Sequence, residues 1–146
     1  MISYNTTFNF YACISFSKAD LLILAIYFMS RQLSEFLNGK SEHTLMLFNH
    51  FISEFQKAGN ITIEPAKTMI GISNGHKKIA WVTQLGKNFI HVVFPFKTAH
   101  EDNLCFQKIA QVPGAQQFNH HFRMLFADDL NEEVKAFMKL AYMGGK

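Results

Sequence analysis

Seven histidines and two cysteines carry most of the side-chain chemistry that this 146-residue chain offers, so their spacing decides which reactions are open to it. His91, His100, Cys105, His120 and His121 have the donor atoms of a zinc-type site. His120 and His121, however, are adjacent inside Gln117 to Phe126, where apolar and polar residues alternate strictly. Neighbouring strand residues point to opposite sides of a sheet, so these two do not share an ion, and the set predicts no metal. Cys105 with one of the histidines would make a nucleophile only if its thiol pKa were depressed, and no pattern around it signals that. The chain has no phosphate-cradling glycine loop, no Gly-x-Ser-x-Gly elbow, no His-Glu-x-x-His and no Cys-x-x-Cys. The reading is therefore of a protein without catalytic residues or a cofactor.

The constellation that the sequence does favour is cationic. Lys67 opens the first strand of a predicted meander and Lys97 closes the third, while His121 and Arg123 occupy the polar face of a later strand. Were these strands neighbours, the four side chains and Trp81 would line one open face, and the fork of Arg123 would grip a carboxylate or phosphate. Between Pro65 and His100 there are five lysines (Lys67, Lys77, Lys78, Lys87, Lys97) and no acid, whereas Asp128, Asp129, Glu132 and Glu133 gather later. A basic stretch of this kind attracts a phosphate backbone.

Positioning these residues falls to a run of short strands. Thr68 to Phe96 reads as three strands joined by Ser73 to Lys78 and Gln84 to Asn88, whose Gly and Asn suit tight turns. In the third, Ile90, Val92 and Phe94 make the apolar side and Phe89, His91 and Val93 the other; in the second, Trp81 opposes Ala80, Val82 and Gln84. Asn60 to Glu64 alternates as a strand that ends or becomes an edge at Pro65. Lys97 to Gly114 reads as a polar connection with room for a short strand or a helical turn. In Gln117 to Phe126, Phe118, His120, Phe122 and Met124 share one side, and Asn119, His121 and Arg123 share the other.

Helices flank this run. Leu33, Phe36 and Leu37 fall at helical spacing before an Asn38-Gly39 stop, and Ser41 is the expected N-cap of a longer helix with its stripe on Leu45, Phe48, Ile52 and Phe55. Asp129 and Glu132 form a capping-box pattern ahead of Val134, Phe137, Met138 and Ala141. No strand–helix–strand alternation calls for a parallel sheet. The expected fold is α+β in two layers, an antiparallel sheet of about five strands covered by N-terminal and C-terminal helices.

At 146 residues one domain with a core that needs no disulfide is expected, and the sixteen phenylalanines read as its filling. The two cysteines suit a reduced, cytoplasmic protein. Met1 to Phe28 is atypical, apolar and aromatic with only Lys18 and Asp20 charged. It lacks the leading positive charge of a secretory signal, and the unbroken apolar run Leu21 to Phe28 is too short for a membrane span. Two expectations stay open for it: an added strand and helix packed on the domain, or residues upstream of a start at Met29. Its apolar surface motivates the expectation of a homodimer.

Phe36 to Gly39, Pro65 to Ile70, the Ile79-Ala80-Trp81-Val82 strand, His120 to Met124, and Asp129 to Val134 leading to Leu140-Ala141-Tyr142 together resemble the uncharacterised bacterial family known as domain of unknown function 5655. The resemblance covers roughly residues 30–143, leaves residues 1–28 without a counterpart, and extends distantly to the YjbR-like and YdhG-like small α+β proteins. It implies the fold and the domain limits and brings no catalytic residue. The functional expectation is a non-enzymatic binding or interaction module whose basic sheet face (Lys67, Trp81, Lys97, His121, Arg123) takes an anionic ligand, a protein or its own copy. The alternative is a nucleic-acid-binding module.

Overall fold

The computed structural model describes residues 17–144. The first helix, α1, runs over Lys18–Leu37, capped by Ser17, whose hydroxyl accepts from the Asp20 backbone N–H while the Asp20 carboxylate accepts from Ser17. It passes through Met29 without a break. Leu33, Phe36 and Leu37 touch the core beside the sheet, whereas Leu21, Leu22, Ile23, Leu24, Ile26, Tyr27 and Phe28 are exposed. A helix thus covers Lys18 onward, but over residues 21–28 its apolar side chains are exposed rather than packed on the domain, and the strand expected before it lies outside the described residues. Gly39 ends the segment at φ +71°, a conformation that favours glycine.

Helix α2, Glu42–Ala58, starts at Ser41 as its hydroxyl takes the Thr44 N–H. Its buried face centres on Thr44, Leu47, Phe48, Phe51, Ile52 and Phe55, so Leu45 falls to the margin of the expected stripe. Helix α3, Glu132–Tyr142, buries Val134, Phe137, Met138 and Ala141 as its spacing predicts. Its cap differs: Asn131 takes the Val134 N–H, and Asp129 sits in a preceding 3-10 turn, Ala127–Asp129. There the Asp129 carboxylate accepts from the Leu125 and Phe126 N–H groups at 2.7 and 2.8 Å. Asparagine caps as well as aspartate, and the acid serves a tighter bend one step earlier. The C-terminus of α2 meets that of α3 at Gly59, where a Cβ would fall 2.2 Å from the Tyr142 ring.

Six strands form one antiparallel sheet: β1 Thr62–Pro65, β2 Ile70–Ser73, β3 Lys78–Leu85, β4 Ile90–Phe96, β5 Lys108–Gln111 and β6 Phe118–Met124, in the order β1-β2-β3-β4-β6-β5. The architecture is the expected α+β arrangement with one strand more than the five read from the pattern. That strand is β5, inside Lys97 to Gly114, whose four residues are too few to register as a period. Pro65 lies on the edge strand β1, where a missing N–H costs no ladder bond.

Helices α2 and α3 cover one side of this sheet. Ile70, Ile72, Ala80, Val82, Ile90, Val92, Phe94, Phe122 and Met124 are all buried there. Phe94 is the hub, with Phe51, Phe55, Phe96 and Phe106 at ring separations of 6.1 to 6.4 Å. Full burial of each such side chain contributes about 1.5–3 kcal/mol, which makes this layer the source of most of the stability. The N-terminus of α2 is pinned by side chains: Thr44 donates to the Gly86 carbonyl at 2.6 Å and Ser41 to that of Lys87 at 2.5 Å.

Candidate functional site

The other side of the sheet carries the polar set, and strand register fixes which residues meet. One row runs Glu64, Gly71, Trp81, Val93, His121, Lys108 across all six strands. The next runs Gln84, His91, Arg123. Among the described residues no helix packs on these rows; α2 and α3 pack on the opposite face, and α1 meets the sheet at edge strand β1. A shift in register between Val82 and Gln84 places one extra residue in β3. Gln84 therefore leaves the inward side of Ala80 and Val82, where strict alternation put it, and joins His91 outside.

His91 and His121 stack with ring centroids 5.2 Å apart and an interplanar angle of 29°. Thr83 Oγ1 lies 2.7 Å from His91 Nδ1 and 3.3 Å from the His91 carbonyl, so its hydroxyl is engaged by this histidine. Nδ1 is thereby occupied, and Nε2 is the ring nitrogen left to face an outside group. Neither ring nitrogen of His121 has a hydrogen-bond partner among the described residues. Arg123 lies over Phe89, its guanidinium carbon 3.8 Å from the ring centre, a cation–π contact that holds the fork in place. Burial lowers the His91 pKa below its ordinary value, and the charges of His121 and Arg123 lower it further. His121 is lowered by burial and then by Lys108.

Acid is nearly absent from this surface. Glu64 is the one carboxylate in the six strands, and it pairs with Lys78. Gly71 leaves the room for that pair, since a Cβ there would lie 3.0 Å from the Trp81 ring and 3.1 Å from the Lys78 stem.

Of the residues favoured from sequence, Trp81, His121 and Arg123 share the open face. Lys67 and Lys97 do not join them. Lys67 is in the β1–β2 turn, bordering a groove of about 340 Å³ with Gln32, Glu35, Phe36 and Ala66, and Lys97 follows the far end of β4. Consecutive turns of a meander alternate between sheet ends, so the five lysines of the acid-free stretch divide into Lys67 and Lys87 at one end and Lys77, Lys78 and Lys97 at the other. Alternation puts His91 on this side of its strand, but the sequence reading groups neither His91 nor Lys108 with the cationic set. For Lys108 the grouping depends on β5, where the pattern is open to a short strand or a helical turn.

The metal-donor set is divided by the sheet itself. His120 is on the helix side, 0% exposed, its Nε2 accepting from the His100 N–H at 3.1 Å and its Nδ1 3.0 Å from the Phe118 carbonyl. Both nitrogens are thus satisfied, with the proton on Nδ1. Among the described residues no group of three or more His, Cys, Asp or Glu is placed to hold an ion. Burial, with Glu133 adding to it, pushes the Cys105 thiol up to about 11, the direction opposite to that of a nucleophile.

Fold and face together define a class: a two-layer α+β domain whose antiparallel sheet is sealed by helices on one side and presents aromatic rings and cations on the other. Residues 33–144, more than half of the chain, match the family described as Domain of unknown function (DUF5655), and the chain belongs to that family. The exposed part of α1 precedes the matched region. No curated protein and no solved structure matches the chain. No described helix is long and apolar enough to cross a membrane.

Proposed function

We propose that this protein is a non-enzymatic binding module whose open sheet face takes an anionic partner. The observation that carries the reading is the imbalance of that face: Arg123, Lys108 and two histidines stand together, while the sheet's one carboxylate is already paired with Lys78. Cations that have no acid partner among the described residues and stand on rigid strands are pre-organised for an anion, because little side-chain freedom is lost on binding. Trp81 and Phe89 add aromatic surface beside them. Lys67 and Lys97, at the sheet ends, extend the positive field rather than touch the same ligand group.

The second reading is a nucleic-acid-binding module, with bases stacking on Trp81 and the histidine rings and phosphates meeting Arg123 and Lys108. A salt titration against single-stranded and duplex DNA separates the two. Phosphate-backbone contacts predict affinity falling steeply with salt, with a slope near one per contact. Absence of binding at low salt removes the second reading and leaves the first.

A further inference from the structure

We propose that His91, His121 and Arg123 form a binding site for a dianionic oxyanion of the sulfate or phosphomonoester class, and that the anion enters together with protons on the two rings. The inference rests on the open-face reading and deepens it by naming the group that is bound.

The geometry supplies three donors converging from two neighbouring strands. His91 of β4 is directly opposite Arg123 of β6, and His121 is two residues back along β6, on the same face and stacked on His91. With Nδ1 of His91 engaged by Thr83, Nε2 on the far side of the ring is the N–H that the protonated ring offers to an anion. His121 has no hydrogen-bond partner on either nitrogen among the described residues. Arg123 adds a planar fork suited to two oxygens at once. A tetrahedral oxyanion has enough oxygens to accept from all three side chains.

Charge explains why the anion and the protons arrive together. The groups that face the pair are Arg123 and each other, with Lys108 from β5 beside His121; Thr83, Gln84 and Trp81 from β3 are uncharged, and Glu64 of β1 is paired with Lys78 toward the far edge of the same face. Among the described residues, the charged groups that act on the pair are thus all positive. Two imidazolium rings at 5.2 Å repel each other and Arg123, and both rings are held below their ordinary pKa. A dianion removes that repulsion, and proton uptake in turn tightens the anion, since linkage acts equally in both directions.

The test is calorimetric titration of the full chain with sodium sulfate at about pH 5.5 and about pH 7.5, with ionic strength held constant by chloride. Sulfate keeps its two charges across this interval, so any pH dependence belongs to the protein. The affinity is expected to fall more than about tenfold from the lower to the higher pH, since each proton taken up contributes up to about tenfold per unit above the ring's pKa. H91Q and H121Q should each flatten that dependence, R123Q should weaken binding at both pH values, and K139Q on α3 should change nothing. Glycerol phosphate, whose second pKa of about 6 leaves only part of it dianionic at the lower pH, should compete with sulfate there in proportion to that fraction.

Equal affinity at both pH values, or H91Q and H121Q that keep the full dependence, would overturn this inference and leave the open-face reading standing. A K139Q variant weakened as much as R123Q would overturn it too, by showing only diffuse attraction. Tight binding of an oligothymidine without any of sulfate would replace it with the nucleic-acid reading. Failure of sulfate, glycerol phosphate and oligonucleotide alike at both pH values would remove the open-face reading itself.

Discussion

His120 and His121 are joined by one peptide bond and live in opposite surroundings. His120 is wrapped by Phe96 and Phe106, each 4.9 Å away between ring centres, and both its nitrogens are bonded. His121 is stacked on a second histidine beside two cations, with no bond to either nitrogen among the described residues. The two differ only in which side of the pleat they fall on. One side of this sheet is built to hold the chain together, and the other holds polar groups in a fixed array without using them for stability. Mutations should divide accordingly.

The largest contrast is expected between Phe94→Ala and Trp81→Ala. Phe94 is 0% exposed at the centre of the aromatic cluster, and its truncation should cost about 3–5 kcal/mol through lost burial plus a cavity. Trp81, half-buried on the open face, should cost about 1 kcal/mol although it is the larger residue. Urea denaturation followed by circular dichroism measures both. Comparable losses would mean that the open face is covered by something and would break the division.

His120→Ala comes next. It leaves the His100 N–H and the Phe118 carbonyl without their partner in a buried site, for an expected loss of about 1–3 kcal/mol. Its pH signature is more specific than its size. Burial holds the His120 pKa below the ordinary value of 6.5, so the unfolded chain takes up a proton before the folded one does. Stability is then flat above about pH 6.5 and declines as pH falls through that value toward the lower folded pKa. His91 and His121 are shifted in the same direction and steepen the decline. Unfolding free energies measured from pH 8 to 5 should show this acid arm, and His120→Ala should make it shallower. A profile that rises toward acid would contradict the assigned neutral, buried ring.

How much of this was legible before the structure follows from the same pleat. Alternation alone sorted His120 from His121 and Ile90 from His91, and helical spacing found the buried faces of α2 and α3. What alternation does not carry is anything that interrupts it. The extra residue near Thr83 turned Gln84 outward, the four residues of β5 were too short to read, and Asn131 rather than Asp129 capped α3. The cationic constellation was legible only where its members share a strand. His121 and Arg123 are two apart on β6 and stayed together, whereas Lys67 and Lys97 were grouped by a continuous acid-free stretch that the meander folds onto opposite ends of the sheet. Which end a turn occupies depends on strand count and order, and those are properties of the whole sheet.

The smallest expected effect tests the open face from the opposite direction. Glu64 is the one acid in the strands, and its pairing with Lys78 is half open to solvent, with both side chains about one-third exposed (35% and 33%). Surface pairs of this kind contribute about 0–1 kcal/mol, so Glu64→Gln should leave stability within about 0.5 kcal/mol of the parent. Yet it frees the Lys78 ammonium beside Trp81 and removes the one carboxylate that the strands carry. If that face attracts anions through its summed field, Glu64→Gln should raise sulfate affinity by about twofold at low salt, with the gain fading as salt screens it over about 10 Å at 0.1 M. A measurable loss of stability without any gain in affinity would instead make Glu64 and Lys78 a strut of the β1 edge, and would confine the anion's grip to the two histidines and Arg123.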